Sequence, residues 1–406
     1  MTYAESIDWL FSTQMFGIKL GLDGPRRLLK EYLAFPAKGV TVIHVAGTNG
    51  KGSTCAMVDS IARACGRRTG LFTSPHLIDY RERIQVSGQQ ISEEACAEGL
   101  TELREICERL ETHSTFFEIT LALAMRWFRE RECELIILET GMGGKLDATT
   151  AVPADVAVIT PIGLDHTQWL GHTLEAVAAE KAGIIVPEKP VVSSPQESAA
   201  YRVLEKEANE RRSPLSFITE PLRGYGIALP GEHQTWNAAL AVEALHRAGI
   251  ALSFDTIQYG LSSVRWPGRF EIIEHGGTRI VLDGAHNPHS AEVLAATWKS
   301  SFPETKPALV FSAVSSKDIA GILRPIAPLA SRIFICPVDT PRATPVEEIA
   351  AALPEAAPPH EIFGHFDDAF AAARTTGLPI LIAGSLFLVG EARARLTDGT
   401  FQSSTQ

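Results

Sequence analysis

Residues 40–54 read Val40-Thr41-Val42-Ile43-His44-Val45-Ala46-Gly47-Thr48-Asn49-Gly50-Lys51-Gly52-Ser53-Thr54. The first half is a short apolar run of strand type, and the second is a glycine-rich turn leading into a helical stretch over 51–65. Strand, glycine turn and helix together suit a phosphate: the glycines let backbone N–H groups point inward, and the helix brings its positive end to the anion. Lys51 supplies a point charge for the outer phosphates, and Ser53 or Thr54 a hydroxyl within reach of magnesium. The spacing departs from the usual GxxxxGK[ST], because two residues separate Gly47 from Gly50 and Gly52 splits Lys51 from Ser53. An ordinary glycine-rich turn is the competing explanation, and its place between a strand and a helix counts against it.

The same alternation continues outward. Thr69–Thr73, Leu135–Leu138, Val156–Thr160 and Val191–Ser193 are short apolar runs, with helical patterns over 92–110, 116–131 and 173–183 between them. Strands that alternate with helices predict an α/β fold, a parallel sheet with helices on both faces. Residues 214–231 are Pro/Gly-rich and less regular, 235–248 are helical, and Trp266-Pro267-Gly268 punctuates the chain. A domain boundary there divides 1–267, the phosphate-binding part, from 268–406. In the second part βα alternation resumes with strands at 279–282, 308–312, 332–336 and 380–383, a smaller Rossmann-like α/β domain.

Length and charge bound the rest. A chain of 406 residues favours two domains, and 45% hydrophobic residues suffice for sizeable cores. The net charge of -11 argues against general nucleic-acid binding, which wants a basic face. Six cysteines without a CxxC pair read as reduced thiols of a cytoplasmic protein. No apolar run approaches the ~20 residues that span a bilayer, and 380–389 reads as a buried strand entering a helix.

Two more positions stand at or near strand ends, and a third lies on the helix 173–183. Glu139 closes the apolar run 135–138 and opens the glycine-rich stretch 140–149, where a carboxylate in a doubly wound sheet faces ligand. It is a candidate magnesium ligand, since that ion prefers carboxylate oxygen completed by phosphate and water. His166 follows the run 156–160 and could face the same pocket; a lone histidine is as readily a satisfied structural residue. Lys181, taken alone, reads as a lysine on a solvated helix face.

Together these motifs resemble folylpolyglutamate synthase, including its bacterial form that is also dihydrofolate synthase, a family grouped with the Mur ligases. The resemblance spans nearly the whole chain: Leu20–Asp23, Gly47–Thr54, Thr73–Leu77 with Glu82–Ile84, Thr115–Glu118, Glu139–Thr149, Asp165-His166, Glu180–Ile184, Gly231–Gln234 with Asn237, Trp266–Phe270, Asp283–His289 and Gly384–Phe387. Small departures are Lys145, where Arg is also common, and Thr150, where Asn is frequent.

That resemblance implies roles. Gly47, Thr48, Asn49, Gly50, Lys51, Gly52 and Ser53 bind the phosphates of ATP. Asn237, Arg269 and Asp283 contact the nucleotide, and His286 lines the site; Arg269 and Asp283 flank the inferred junction, which places ATP in a cleft there. Ser74 and Glu139 hold one Mg2+ and His166 a second. Lys181 carries a carbamate formed from CO2, which turns a cation that would repel metal into an oxygen anion that can face it. Leu20, Gly21, Leu22 and Asp23, then Thr115, Phe116, Phe117 and Glu118, then Leu146, Asp147 and Ala148, bind the pterin, with Phe116 or Phe117 stacking on its flat ring. Lys51, Lys181, His166 and Asp147 are the expected catalytic set.

The implied reaction activates a carboxylate of dihydropteroate or a reduced folate as an acyl phosphate, which the amine of L-glutamate attacks. Closure of the smaller domain over the site would exclude water. A monomer without nucleic-acid or membrane partners is expected. Two alternatives stay open. A Mur-type enzyme adding an amino acid to a cell-wall nucleotide precursor usually carries a domain before the phosphate loop, for which Gly47 leaves no room. A nucleotide switch without ligase chemistry would have no need of His166, Lys181 or Asp283–His289.

Overall fold

The run Thr-Val-Ile-His-Val-Ala becomes strand β1 (Thr41–Ala46), paired on both sides by runs as apolar as itself. The computed structural model describes residues 1–402 except Ile18, Leu20 and Asp398. It divides into two compact units. The first comprises Met1–His76, Arg81–Ala228 and Thr235–Val264; the second comprises Leu77–Tyr80, Leu229–Gln234 and the chain from Arg265 on.

The first unit holds an eight-stranded sheet: β1, β2 (Thr69–Phe72), β3 (Ile84–Val86), β4 (Gln89–Gln90), β5 (Leu135–Glu139), β6 (Val156–Ile159), β7 (Val191–Ser193) and β8 (Leu215–Phe217), in the order β4-β3-β2-β5-β1-β6-β7-β8. The strands from β2 to β8 in that order are parallel. β3 and β4 form an antiparallel edge, so the sheet is mixed rather than wholly parallel. All five residues of β5 are buried, so both its faces are covered, as continuous apolar runs in parallel sheets require. Register levels the strand ends: Val45 stands opposite Glu139, and Ala46 opposite Ile159. The turns after β1, β5 and β6 therefore leave the sheet at one height.

The second unit has six strands: β9 (Glu271–His275), β10 (Thr278–Asp283), β11 (Ala308–Phe311), β12 (Arg332–Ile335), β13 (His360–Ile362) and β14 (Ile380–Ala383), ordered β13-β12-β11-β14-β10-β9 with only β9 antiparallel. Alternate residues enter opposite cores: Ile280 and Leu282 pack with the helices Phe366–Thr375 and Leu386–Leu396, while Val281 packs with Pro288–Ser301 and Ile319–Ile326. Helices thus cover both faces. The run 380–389 is β14 followed by a helix, and no helix among the described residues is long and apolar enough to cross a membrane.

Candidate active site

The glycine loop leaves β1 and enters the helix Lys51–Ala64 at Gly50, whose left-handed backbone (φ 86°) suits glycine. A Cβ placed there would stand 2.8 Å from Asn237 Oδ1, so the Asn237 side chain lies against the turn. Lys51 curls back, its Nζ donating to Gly47 O (3.2 Å) and Thr48 O (3.4 Å). The segment after β6 is stitched to the loop: Thr48 N donates to Pro161 O (2.9 Å), and Thr48 Oγ1 donates to Gly163 O (2.9 Å) and accepts from Gly163 N (3.0 Å). Thr54 Oγ1 is buried in the first turns of the helix with no hydrogen-bond partner. For Gly50→Ala we expect ATP affinity to fall about tenfold, because a left-handed alanine costs about 1–2 kcal/mol and Asn237 must move; calorimetric titration with a non-hydrolysable analogue measures it.

Glu139 ends β5 and is buried at 5% exposure, with Oε2 accepting from Ser74 N (3.1 Å) just past β2. The stretch after Glu139 folds onto the end of the helix Leu174–Ala182, where Lys145 N donates to Glu180 O (2.7 Å). The two backbones touch so closely that any side chain at Gly183 would collide with Lys145. This contact carries Lys181 inward. Its Nζ donates to Gly47 O at 2.7 Å, and the residue is buried rather than on a solvated face. Burial, with Lys51 nearby, lowers its pKa to about 7 against the opposing pull of Asp165, Asp147 and Glu180.

Asp147 caps the turn Ala148–Ala151 and is buried. Its Oδ1 accepts from Thr149 N (3.0 Å) and Thr149 Oγ1 (2.5 Å), and its Oδ2 from Met142 N (2.9 Å). Burial raises its pKa, and these donors counteract the rise. Beside it lies a small cavity of about 30 Å³ lined by Met142, Leu146, Asp147, Trp169, Leu170 and Glu180. Sequence alone had not singled out Trp169, Met142 or Glu180 as walls. Glu180 stands next to Lys181 in a quoted motif, but only the fold of 140–147 onto that helix reveals that it faces a pocket.

His166 lies beyond the segment stitched to the loop, exposed, in a left-handed conformation (φ 50°) at the start of the short helix Thr167–Leu170, its N–H donating to Asp165 Oδ1 (2.8 Å). Thr115 and Glu118 are a reciprocal capping box on the helix Phe116–Glu130. Burial raises the Glu118 pKa. The two phenylalanines separate. Phe116 is 3% exposed, edge-on to Phe11 with the Arg83 guanidinium over its ring, so it is core. Phe117 is half-buried, and its ring lies 2.7 Å from where a Cβ on Gly141 would stand, beside the turn that follows β5. Leu20 lies outside the described residues. Gly21 and Leu22 lead into the helix Asp23–Glu31, whose Gly24 abuts the Glu118 carboxylate.

Arg269, Asp283 and His286 form a group of their own in the second unit. Asp283 ends β10 and accepts from Phe270 N (2.8 Å) and Ala285 N (2.9 Å). Its enclosure raises its pKa, and the Arg269 cation opposes the rise. His286 Nδ1 is 2.7 Å from Gly284 O. His233, part of a quoted motif but given no role from sequence, belongs here too, its pKa pushed to about 4 by burial and by the neighbouring His289 and Arg269.

Among the described residues no three acids, histidines or cysteines converge as a ready-made metal cage. Magnesium does not demand one: it keeps waters and binds through one or two carboxylates plus phosphate oxygens. The buried Glu139 carboxylate at the phosphate loop's own level, with Ser74 beside it, is that donor chemistry.

Residues 45–212 match the model of the Mur ligase middle domain, and residues 268–386 that of the Mur ligase glutamate ligase domain. The chain is 32% identical to a dihydrofolate synthase/folylpolyglutamate synthase of Bacillus subtilis, over 97% of this chain and 99% of that one. It superposes on Escherichia coli FolC in complex with DHPP and ADP with a TM-score of 0.87 and 31% identity, covering 97% of this chain and 98% of the other. A bifunctional folylpolyglutamate synthase/dihydrofolate synthase with Mn, AMPPNP and L-glutamate bound gives a TM-score of 0.86 at 30% identity, covering 96% and 98%.

Proposed function

The chain belongs to the dihydrofolate synthase/folylpolyglutamate synthase family of Mur ligases, and on that premise we propose how its residues divide the work of an ATP-dependent glutamate ligase. It joins L-glutamate to a pteroate or folate carboxylate with ATP and a divalent metal. Both acceptors, dihydropteroate and the γ-carboxylate of a reduced folate, are assigned to it, in a cytoplasmic, monomeric enzyme. The observation that supports this most is the meeting of the Gly47–Ser53 loop, Glu139 and Lys181 at the level ends of β1, β5 and β6.

A carboxylate is a poor electrophile. One of its oxygens attacks the γ-phosphorus, ADP departs, and the acyl phosphate carries a good leaving group. The glutamate amine then adds to the carbonyl, loses its proton, and phosphate leaves. The loop N–H groups and Lys51 hold the phosphates and offset negative charge as the phosphoryl group moves. Glu139 with Ser74 would hold one divalent cation and His166 a second. Such ions, when bound, screen charge on the phosphoryl oxygens. Lys181, held near neutrality by burial, adds CO2 through its free amine and releases a proton; the resulting carbamate replaces a positive charge beside the loop with an oxygen anion. Phe117, Leu146, Asp147, Ala148 and Glu180 form the acceptor side, where apolar walls take the ring and carboxylates take its N–H groups. In the second unit, Arg269, Asp283 and His286 supply a cation, a carboxylate and an imidazole suited to the phosphate oxygens and hydroxyls of a nucleotide.

ADP release, measured with dihydropteroate and tetrahydrofolate in separate assays, tests this. Release should require glutamate and one of the two acceptors together. An ATPase indifferent to both would favour a nucleotide switch, and turnover only with a cell-wall nucleotide precursor would favour a Mur-type ligase.

A further inference from the structure

His44 occupies the middle of β1, opposite Leu138 on one side and Ala157 on the other, at 1% exposure. A polar ring in a strand buried at the centre of a sheet is costly unless it is bonded. Its bond is specific: Nε2 lies 2.7 Å from Thr149 Oγ1, which lies 2.5 Å from Asp147 Oδ1. Thr149 is itself fully buried. A hydroxyl has one proton to give. With Asp147 ionised, that proton points to Oδ1, so the hydroxyl lone pair faces His44 and the imidazole donates through Nε2–H. Burial drives the His44 pKa down to about 3 and keeps the ring neutral. The chain of bonds ends on a carboxylate whose other oxygen is held by Met142 N, at the wall of the cavity shared with Leu146 and Glu180.

We propose that His44 and Thr149 are positioning residues that fix the plane of the Asp147 carboxylate, so that it recognises the adjacent N–H donors on the edge of a planar heterocyclic acceptor. This rests on the assignment of Asp147 to the acceptor side above. Neither residue touches the substrate; both act through Asp147. The expected consequence is selectivity for a ring bearing an exocyclic amine beside a ring N–H over the same ring without the amine.

The test is steady-state kinetics on the full chain with Thr149→Val, Thr149→Ser, His44→Gln, Asp147→Asn and the double variant Thr149→Val/Asp147→Asn. Thr149→Val should raise the acceptor KM on the order of tenfold, the scale of one charge-assisted hydrogen bond, with KM for ATP and glutamate within twofold. Preference for the amino-bearing acceptor over its desamino analogue should shrink equally. Thr149→Ser should restore both, and Thr149→Val should add nothing once Asp147 is Asn. Should Thr149→Val not fold, ring nitrogen NMR on the parent chain, assigned by the signal lost in His44→Gln, still decides: a protonated Nε2 on a neutral ring is required. Equal shifts in all three KM values, full additivity with Asp147→Asn, or a ring protonated on Nδ1 alone would overturn the positioning role. If Asp147→Asn itself leaves the acceptor KM unchanged, the acceptor-side assignment fails and the proposal with it. If Asp147→Asn raises that KM and Thr149→Val does not, the relay alone fails.

Discussion

Lys181→Ala is expected to lose turnover on the order of 10²–10³-fold, the scale on which a preorganised electrostatic group acts, and to regain part of it with added acetate or formate. Lys181 Nζ sits on Gly47 O inside the phosphate loop, with Lys51 at the same carbonyl. As a second ammonium there it would oppose a metal; as a carbamate it would support one. A small carboxylate diffusing into the space left by alanine supplies the same oxygen chemistry, and lysine analogues without CO2 do not. The sign of the pH dependence follows from the lowered pKa. Below about pH 7 the amine is protonated and cannot add CO2; above it the neutral form dominates and the modified fraction should rise, then level. Labelled bicarbonate and carbon NMR of the intact enzyme would show a carbamate signal growing from pH 6 to 8. A variant fully active without any carboxylate would sink the modification. The same shift affects stability: the folded lysine releases its proton near pH 7 while the unfolded one keeps it to about 10.4, so this group's contribution rises with pH between those values.

Glu139→Ala should lower metal-dependent turnover on the order of 10²-fold while changing ATP affinity only a few-fold. On the proposed division of work the loop N–H groups and Lys51 hold the nucleotide, and this change leaves them in place. The Ser74 N–H loses its carboxylate acceptor, and for a part-buried donor that costs about 1 kcal/mol, the low end of the range for buried groups, so the melting temperature should drop by a degree or two. Glu139→Gln separates the two effects, since it keeps an acceptor for Ser74 without the charge. Stability near the parent with turnover still suppressed would identify the charge as what matters. Turnover equal to the parent in both variants would remove Glu139 from the metal.

The centre of the first sheet is legible in sequence because β5 and β6 are continuous apolar runs and β1 is one broken only by His44, all with sharp polar or glycine ends, and both the loop and Glu139 sit at those ends. The edges are not. β3 and β4 are three and two residues long, too short for a period to register, and they supply the antiparallel margin. The helices Ser198–Glu210 and Phe254–Ser263 and strand β9 carry no comparably sharp pattern. Phe116 and Phe117 are equivalent on paper; which one enters the core depends on helix rotation, and packing against Phe11 and Arg83 decides it. Lys181 is the clearest case. Its burial comes from a backbone contact between Lys145 and Glu180, far apart in the chain, that no local pattern encodes.

The pairing of Val45 with Glu139 and of Ala46 with Ile159 sets the distance between chemical groups by the ladder of the sheet and not by the length of the chain between them. A slip of one residue would turn Glu139 to the opposite face and displace it by about 3.3 Å. The crossover segments can therefore change length at the turns that lead back into the strands, on the sheet edge away from the site, without retuning the centre, as long as the strands stay in step. Rebuilding a turn on the edge of the sheet away from the site, such as the one before β5, is an engineering route open to this enzyme; altering a strand by a single residue is not.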